Sequence, residues 1–174
     1  VHPIITKGGD LVNSVPADVR IETYVRAKTM EAIEATHKKV DTALKAGGDA
    51  VGAQTVIATM PGQLPLACNN RLNELFVTNA KIAEPNVAVK DAGHFSASTD
   101  MGDVSHLLPV IHPFIGGVDG FLHTADFHVV DFKHAVLLPA KAFAMMIVDL
   151  LADDAELARQ IKAEHHPLLT KEEY

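Results

Sequence analysis

Six of the ten histidines fall between His94 and His134, and Asp100, Asp103, Asp119, Asp126 and Asp131 lie in the same stretch. Neutral imidazole and carboxylate are the ligands that divalent zinc, manganese or cobalt favour, so this segment is where metal or acid–base chemistry could sit. The spacing completes no familiar site. There is no HExxH, and His123 and His128 stand five apart, which puts them on one face of neither a helix nor a strand. Asp100 and Asp103 flank Gly102, where two carboxylates could bind a metal, anchor a ligand histidine or cap the next element. A Ser-His-Asp triad can be written down from Ser98 or Ser105, but no GxSxG elbow aims the serine. The pairs Gly8-Gly9 and Gly116-Gly117 lack phosphate-loop spacing and read as turns.

The elements that must position these groups follow from periodicity. Strand patterns cover Val1 to about Thr6 and Val19 to Arg26, the second alternating Ile21, Thr23 and Val25 against Arg20, Glu22 and Tyr24. After Thr29 as N-cap, Met30, Ile33, His37, Val40 and Leu44 repeat at three and four residues, an amphipathic helix that Gly47 and Gly48 should end. A third strand is expected over Ala53 to Ala58. Met60 to Asn70, with two prolines and a glycine, reads as a linker. Beyond it come a helix over Arg71 to Ala83, a short strand over Asn86 to Val89, and loops carrying function from Gly93 to His134. Pro139 opens a helix running to about Leu151 that is apolar on nearly every face and should therefore be buried on several sides. Leu157 to Glu164 continues as a polar, exposed helix.

Composition sets the outer limits. The 174 residues, 48% of them apolar, suit one domain or two small ones of α/β class. With 22 acidic against 15 basic residues and a net charge of −7, there is no basic footprint for nucleic acid or for an anionic membrane. A small neutral or metal-bound substrate is the easier partner. Cys68 stands alone, which excludes a disulfide framework and a thiolate cluster and fits a cytoplasmic location. No leader is visible in VHPIITKGG, and the apolar run from Ala142 to Val148 is too short to cross a bilayer. Opening on Val1 in strand-like sequence, the chain reads as cut from something longer.

Three stretches, VHPIITKGGDLVNSVPADVRIETYVRAKTMEA, STDMGDVSHLLPVIHPF and GFLHTADFHVVD, resemble the C-terminal half of the co-catalytic zinc aminoacylase and carboxypeptidase superfamily, metallopeptidase family twenty. The likeness is nearest the branch of p-aminobenzoyl-glutamate hydrolase and of aminoacylase-like dipeptidases acting on β-alanyl or basic amino-acid conjugates. It implies that residues 1–60 are the second half of a ferredoxin-like dimerisation lid and residues 61–174 the C-terminal segment of a zinc-peptidase-like catalytic domain. It also implies two divalent metal ions, zinc or else manganese or cobalt, and hydrolysis of the amide bond of N-acyl amino acids or dipeptides. His123 in GFLHTADF matches the family's last metal ligand. Asn13 in VNSVP matches a lid asparagine that polarises the scissile carbonyl, and Arg26 in YVRA a lid arginine associated with the substrate carboxylate. Asp100 and Asp103 fall in the loop lining the cleft, in a supporting, substrate-side role.

Two features depart from the family pattern. Ala97 stands where the branch commonly has the glycine of GSTD. The remaining metal ligands, the glutamate base and the lid histidine belong to the family's N-terminal half, and His2 is no substitute. The resemblance therefore implies a chain that is inactive alone and works with the missing N-terminal half, as a homodimer through the lid. The alternatives are a non-catalytic dimerisation or regulatory module derived from such an enzyme, and a histidine-rich metal binder built from His94, His106, His123 and His128.

Overall fold

The computed structural model describes residues 1–91, 93 and 97–174, which form two compact units. The first is Val1–Pro65, with Ala97 and Ser98 added; the second is Leu66–Gly93 with Thr99–Tyr174.

In the first unit, β1 (His2–Lys7) and β2 (Arg20–Tyr24) form an antiparallel ribbon in which His2 pairs with Tyr24 and Lys7 with Arg20. A bulge between Ile5 and Lys7 shifts the register near the loop end. Asp18 closes the base of the connecting loop, accepting from Lys7 Nζ at 3.0 Å and from Arg20 Nη2 at 2.9 Å. Helix α1 (Met30–Ala50) follows, with the Thr29 side chain accepting from the Ala32 amide at 3.3 Å as a cap. It runs through Gly47 and Gly48 instead of ending there. The Val51 amide closes onto Gly48 O and Asp49 O, and Gly52 at φ +71° turns the chain out. The glycine at 48 serves close approach: a Cβ there would lie 2.0 Å from Thr55 Oγ1. Residues 53–58 form no ladder, contrary to the expected third strand, because β1 and β2 pair only with each other.

In the second unit, Asn69 caps α2 (Asn70–Ala83) by accepting from the Leu72 amide at 3.1 Å. Leu72, Phe76 and Ala80 of α2, one every fourth residue, form a buried cluster with Ala142 and Met146, at the same spacing, and Ile161 of α4 (Leu138–Glu164). Matching i,i+4 ridges are what packs two helices closely. Phe76 and Phe143 add a tilted ring pair at 4.9 Å. Asn79, 2% exposed, donates to Asp149 Oδ2 at 2.7 Å and to Leu75 O at 3.1 Å, so its buried side-chain amide is satisfied.

Several expectations change here. Asn86 to Val89 is a turn and coil, with the Val87 amide bonded to Glu84 O. The stretch read as loops contains helix α3 (Met101–Leu107) and a minimal hairpin of β3 (Val118–Asp119) and β4 (His128–Val129). A single wide π turn, Lys133–Leu137, leads into α4, and the helix is interrupted at Ala152 to Ala155, where Asp153, Asp154 and Ala155 have positive φ. Helix α4 is not buried on several sides: α2 covers one stripe, while Phe143, Ile147, Val148 and Leu151 are exposed. By length and composition alone, Lys133–Glu164 could cross a membrane, although Ala142 to Val148 looked too short for that. In the structure its Ala142, Met146 and Ile161 pack with Leu72, Phe76 and Ala80 of α2.

Candidate functional site

The hairpin β3–β4 is built to hold one loop in one shape. Gly117, at φ +89°, accepts at its carbonyl from the Val130 and Asp131 amides, both at 3.0 Å. A Cβ on Gly117 would sit 2.6 Å from Asp131 O and 2.7 Å from Ala135 N, so only glycine allows this approach. Gly120 repeats the device against Asp126 O at 2.5 Å. Between Gly120 and Asp126 the chain turns at Phe121 to Thr124, with the Thr124 amide reaching Phe121 O at 3.2 Å. The Thr124 side chain donates to the same carbonyl at 2.6 Å and also contacts the Asp126 carboxylate.

His123 occupies this turn at φ +66° and is exposed. A histidine held in left-handed backbone costs about 1–2 kcal/mol relative to the right-handed region. Such strain is found where surrounding structure enforces it, frequently at functional positions. Further along the chain, His128 Nδ1 donates to Asp126 O at 2.6 Å, and His134 Nδ1 donates to Asp131 Oδ2 at 2.6 Å. The hydrogen bond from His134 holds the Asp131 carboxyl below its ordinary value. The Glu84 carboxyl is likewise held below its ordinary value, by the side-chain hydrogen bond and charge of Lys133.

The other candidates are distributed. Asp100 is at the N-cap position of α3, but its side chain makes no capping bond; Thr99 Oγ1 accepts from the Met101 amide at 3.4 Å instead. Asp103 lies in the first turn of α3 and is half-buried. Helix α3 is anchored by Ser105, whose hydroxyl donates to Gly102 O and accepts from the Ala67 amide. In the first unit, Asn13 is exposed in the tip of the β1–β2 connection, beside the Ser14 to Leu11 hydrogen bond. Arg26 lies two residues beyond the Tyr24–His2 pair, with its guanidinium 5.0 Å over the Tyr24 ring. Asn13 and Arg26 thus occupy opposite ends of the ribbon, and the hairpin does not bring them together.

A cleft of about 360 Å3 lies where the start of α2, α3 and the end of α4 meet, lined by Cys68, Asn69, Arg71, Ser105, Glu164 and His165 among others. None of the five candidate residues lines it. Sequence reasoning did not single out the Asp131–His134 pair or the two glycine approaches. The only sequence signal for them was the density of Gly, His and Asp between Gly93 and His134.

Among curated proteins, the chain is 30% identical over 165 residues to the Xaa-Arg dipeptidase of Mus musculus, covering 90% of this chain and 38% of the mouse protein. It is 26% identical over 182 aligned positions to the Xaa-Arg dipeptidase of Homo sapiens, covering all of this chain and 42% of the human one. The relatives are dipeptidases. This chain spans about two-fifths of their length. No protein-family model matches it, and no solved structure matches it.

The metal pair that the resemblance implies can be tested against the donors present. A zinc site takes three or four protein donors. Among the described residues, no group of three His, Cys, Asp or Glu side chains is placed to hold an ion. His123 is a single exposed donor, so the described residues do not fit a metal site by themselves. The four-histidine pocket fares no better. His106 is 4% exposed inside the second unit, with its carbonyl tied to the Leu168 and Leu169 amides, and His94 lies outside the described residues.

Proposed function

We propose that this chain is a segment of a peptidase that hydrolyses the amide bond of dipeptides or N-acyl amino acids, and that by itself it is inactive. The observation that carries the reading is the similarity to two Xaa-Arg dipeptidases along 90% or more of the chain. Their name directs the reading toward dipeptides with arginine on the carboxyl side, and the surplus of 22 acidic over 15 basic residues suits a cationic substrate. Substrates of the p-aminobenzoyl-glutamate and β-alanyl type belong to the same reading.

Within it, each residue has a role set by its chemistry. Attack on the scissile carbonyl develops negative charge on oxygen, and the side-chain amide of Asn13 is a donor for that oxyanion. The planar fork of Arg26 matches a carboxylate with two parallel hydrogen bonds. Since the ribbon holds these two at opposite ends, the connection carrying Asn13 must move, or a second copy must supply one of them, for both to meet one substrate. A homodimer through residues 1–60 accommodates the latter. Asp100 and Asp103 support the substrate side. His123 is the residue this chain offers to a divalent ion, zinc, manganese or cobalt, and the donors present do not complete its site. Residues 1–60 then belong to a ferredoxin-like lid and residues 61–174 to the catalytic domain, in a cytoplasmic enzyme.

The second reading is a non-catalytic dimerisation or regulatory module derived from such an enzyme, with which the donor set of the described residues is equally compatible. One experiment separates the two. The chain is assayed against an Xaa-Arg dipeptide, a β-alanyl dipeptide and p-aminobenzoyl-glutamate, alone and mixed with a polypeptide carrying the rest of the mouse relative's length. The peptidase reading expects turnover only on mixing; the module reading expects none in either case and a stable dimer by size-exclusion chromatography.

A further inference from the structure

We draw no further inference here: the strongest candidate, the exposed apolar face of α4 carried by Ile147, Val148 and Leu151, is an unpartnered helix surface, and nothing in the structure shows what covers it.

Discussion

Replacing Gly117 with alanine should damage the hairpin that presents His123, while the same change one residue earlier should not. At Gly117 the new methyl would lie 2.6 Å from Asp131 O and 2.7 Å from Ala135 N, both backbone atoms that cannot swing aside. The backbone there is at φ +89°, which costs an alanine about 1–2 kcal/mol. Forcing the overlap apart adds about 1–3 kcal/mol. The Gly117 carbonyl also accepts from the Val130 and Asp131 amides, so the displacement is transmitted to both ends of the loop. Gly117→Ala is therefore expected to destabilise the second unit by about 2–5 kcal/mol. Gly116→Ala is the control, since a Cβ there meets nothing within 4 Å and the backbone φ is not positive. It should be neutral or stabilise by about 0.4–1 kcal/mol through the unfolded chain. Urea denaturation followed by circular dichroism gives the two stabilities, and hydrogen exchange at the Val130 and Asp131 amides locates the damage. If Gly117→Ala matches Gly116→Ala in both measurements, the glycine clamp is wrong.

Phe76→Ala should cost about 3–5 kcal/mol in the same denaturation experiment, because it empties the α2–α4 seam and removes the ring contact with Phe143. Phe143→Ala should cost distinctly less, as Phe143 is 39% exposed; equal losses would refute the placement of the core. The carboxyl of Asp131 is held low by the His134 hydrogen bond, so its contribution to stability is complete above the ordinary carboxylate value of 3.8 and is lost as pH falls below that through the lowered value. His134→Ala should move the Asp131 titration, read by carbon-detected NMR, back toward 3.8, and an unmoved titration would remove the pair from the account. In the first unit, Asp18 is held low mainly by Arg20 and then by Lys7, so Asp18→Asn should loosen the β1–β2 loop at neutral pH and make its protection factors, exchange relative to the intrinsic rate, insensitive to pH below about 4. Exchange identical to that of the unsubstituted chain would show the clasp to be unimportant.

How much of this was legible depended on whether local sequence decides the outcome. The Thr29 cap, the i,i+3/i,i+4 stripe of α1, the strand alternation at Ile21 to Val25 and the helix over Arg71 to Ala83 are local patterns, and the chain forms elements at those positions. The Ala53 to Ala58 segment has strand composition, but a strand needs a neighbour, and composition cannot supply one. Gly48 looked like a helix stop because glycine favours C-caps; its actual use, close approach to Thr55, involves chain that returns after the helix. The all-round apolar character of α4 predicted burial on several sides, yet only the stripe facing α2 is covered. At the candidate site, the sequence marked His123 but not what makes its position unusual. His123 has left-handed backbone in a hairpin where Gly117 and Gly120 approach Asp131 and Asp126, which spacing alone does not reveal. Asn13 and Arg26 are separated by hairpin register, a property of the pairing between β1 and β2 and not of either residue type.

The central claim, that His123 is this chain's contribution to a peptidase active site, is tested most directly by His123→Ala in the mixture with the remainder of the mouse relative. Bound metal and turnover of an Xaa-Arg dipeptide are measured together, with His128→Ala, from the same hairpin, as the comparison. The account predicts that His123→Ala loses both metal and turnover, while His128→Ala keeps them. Retention of metal and turnover by His123→Ala, or turnover by the unmixed chain regardless of residue 123, would contradict it.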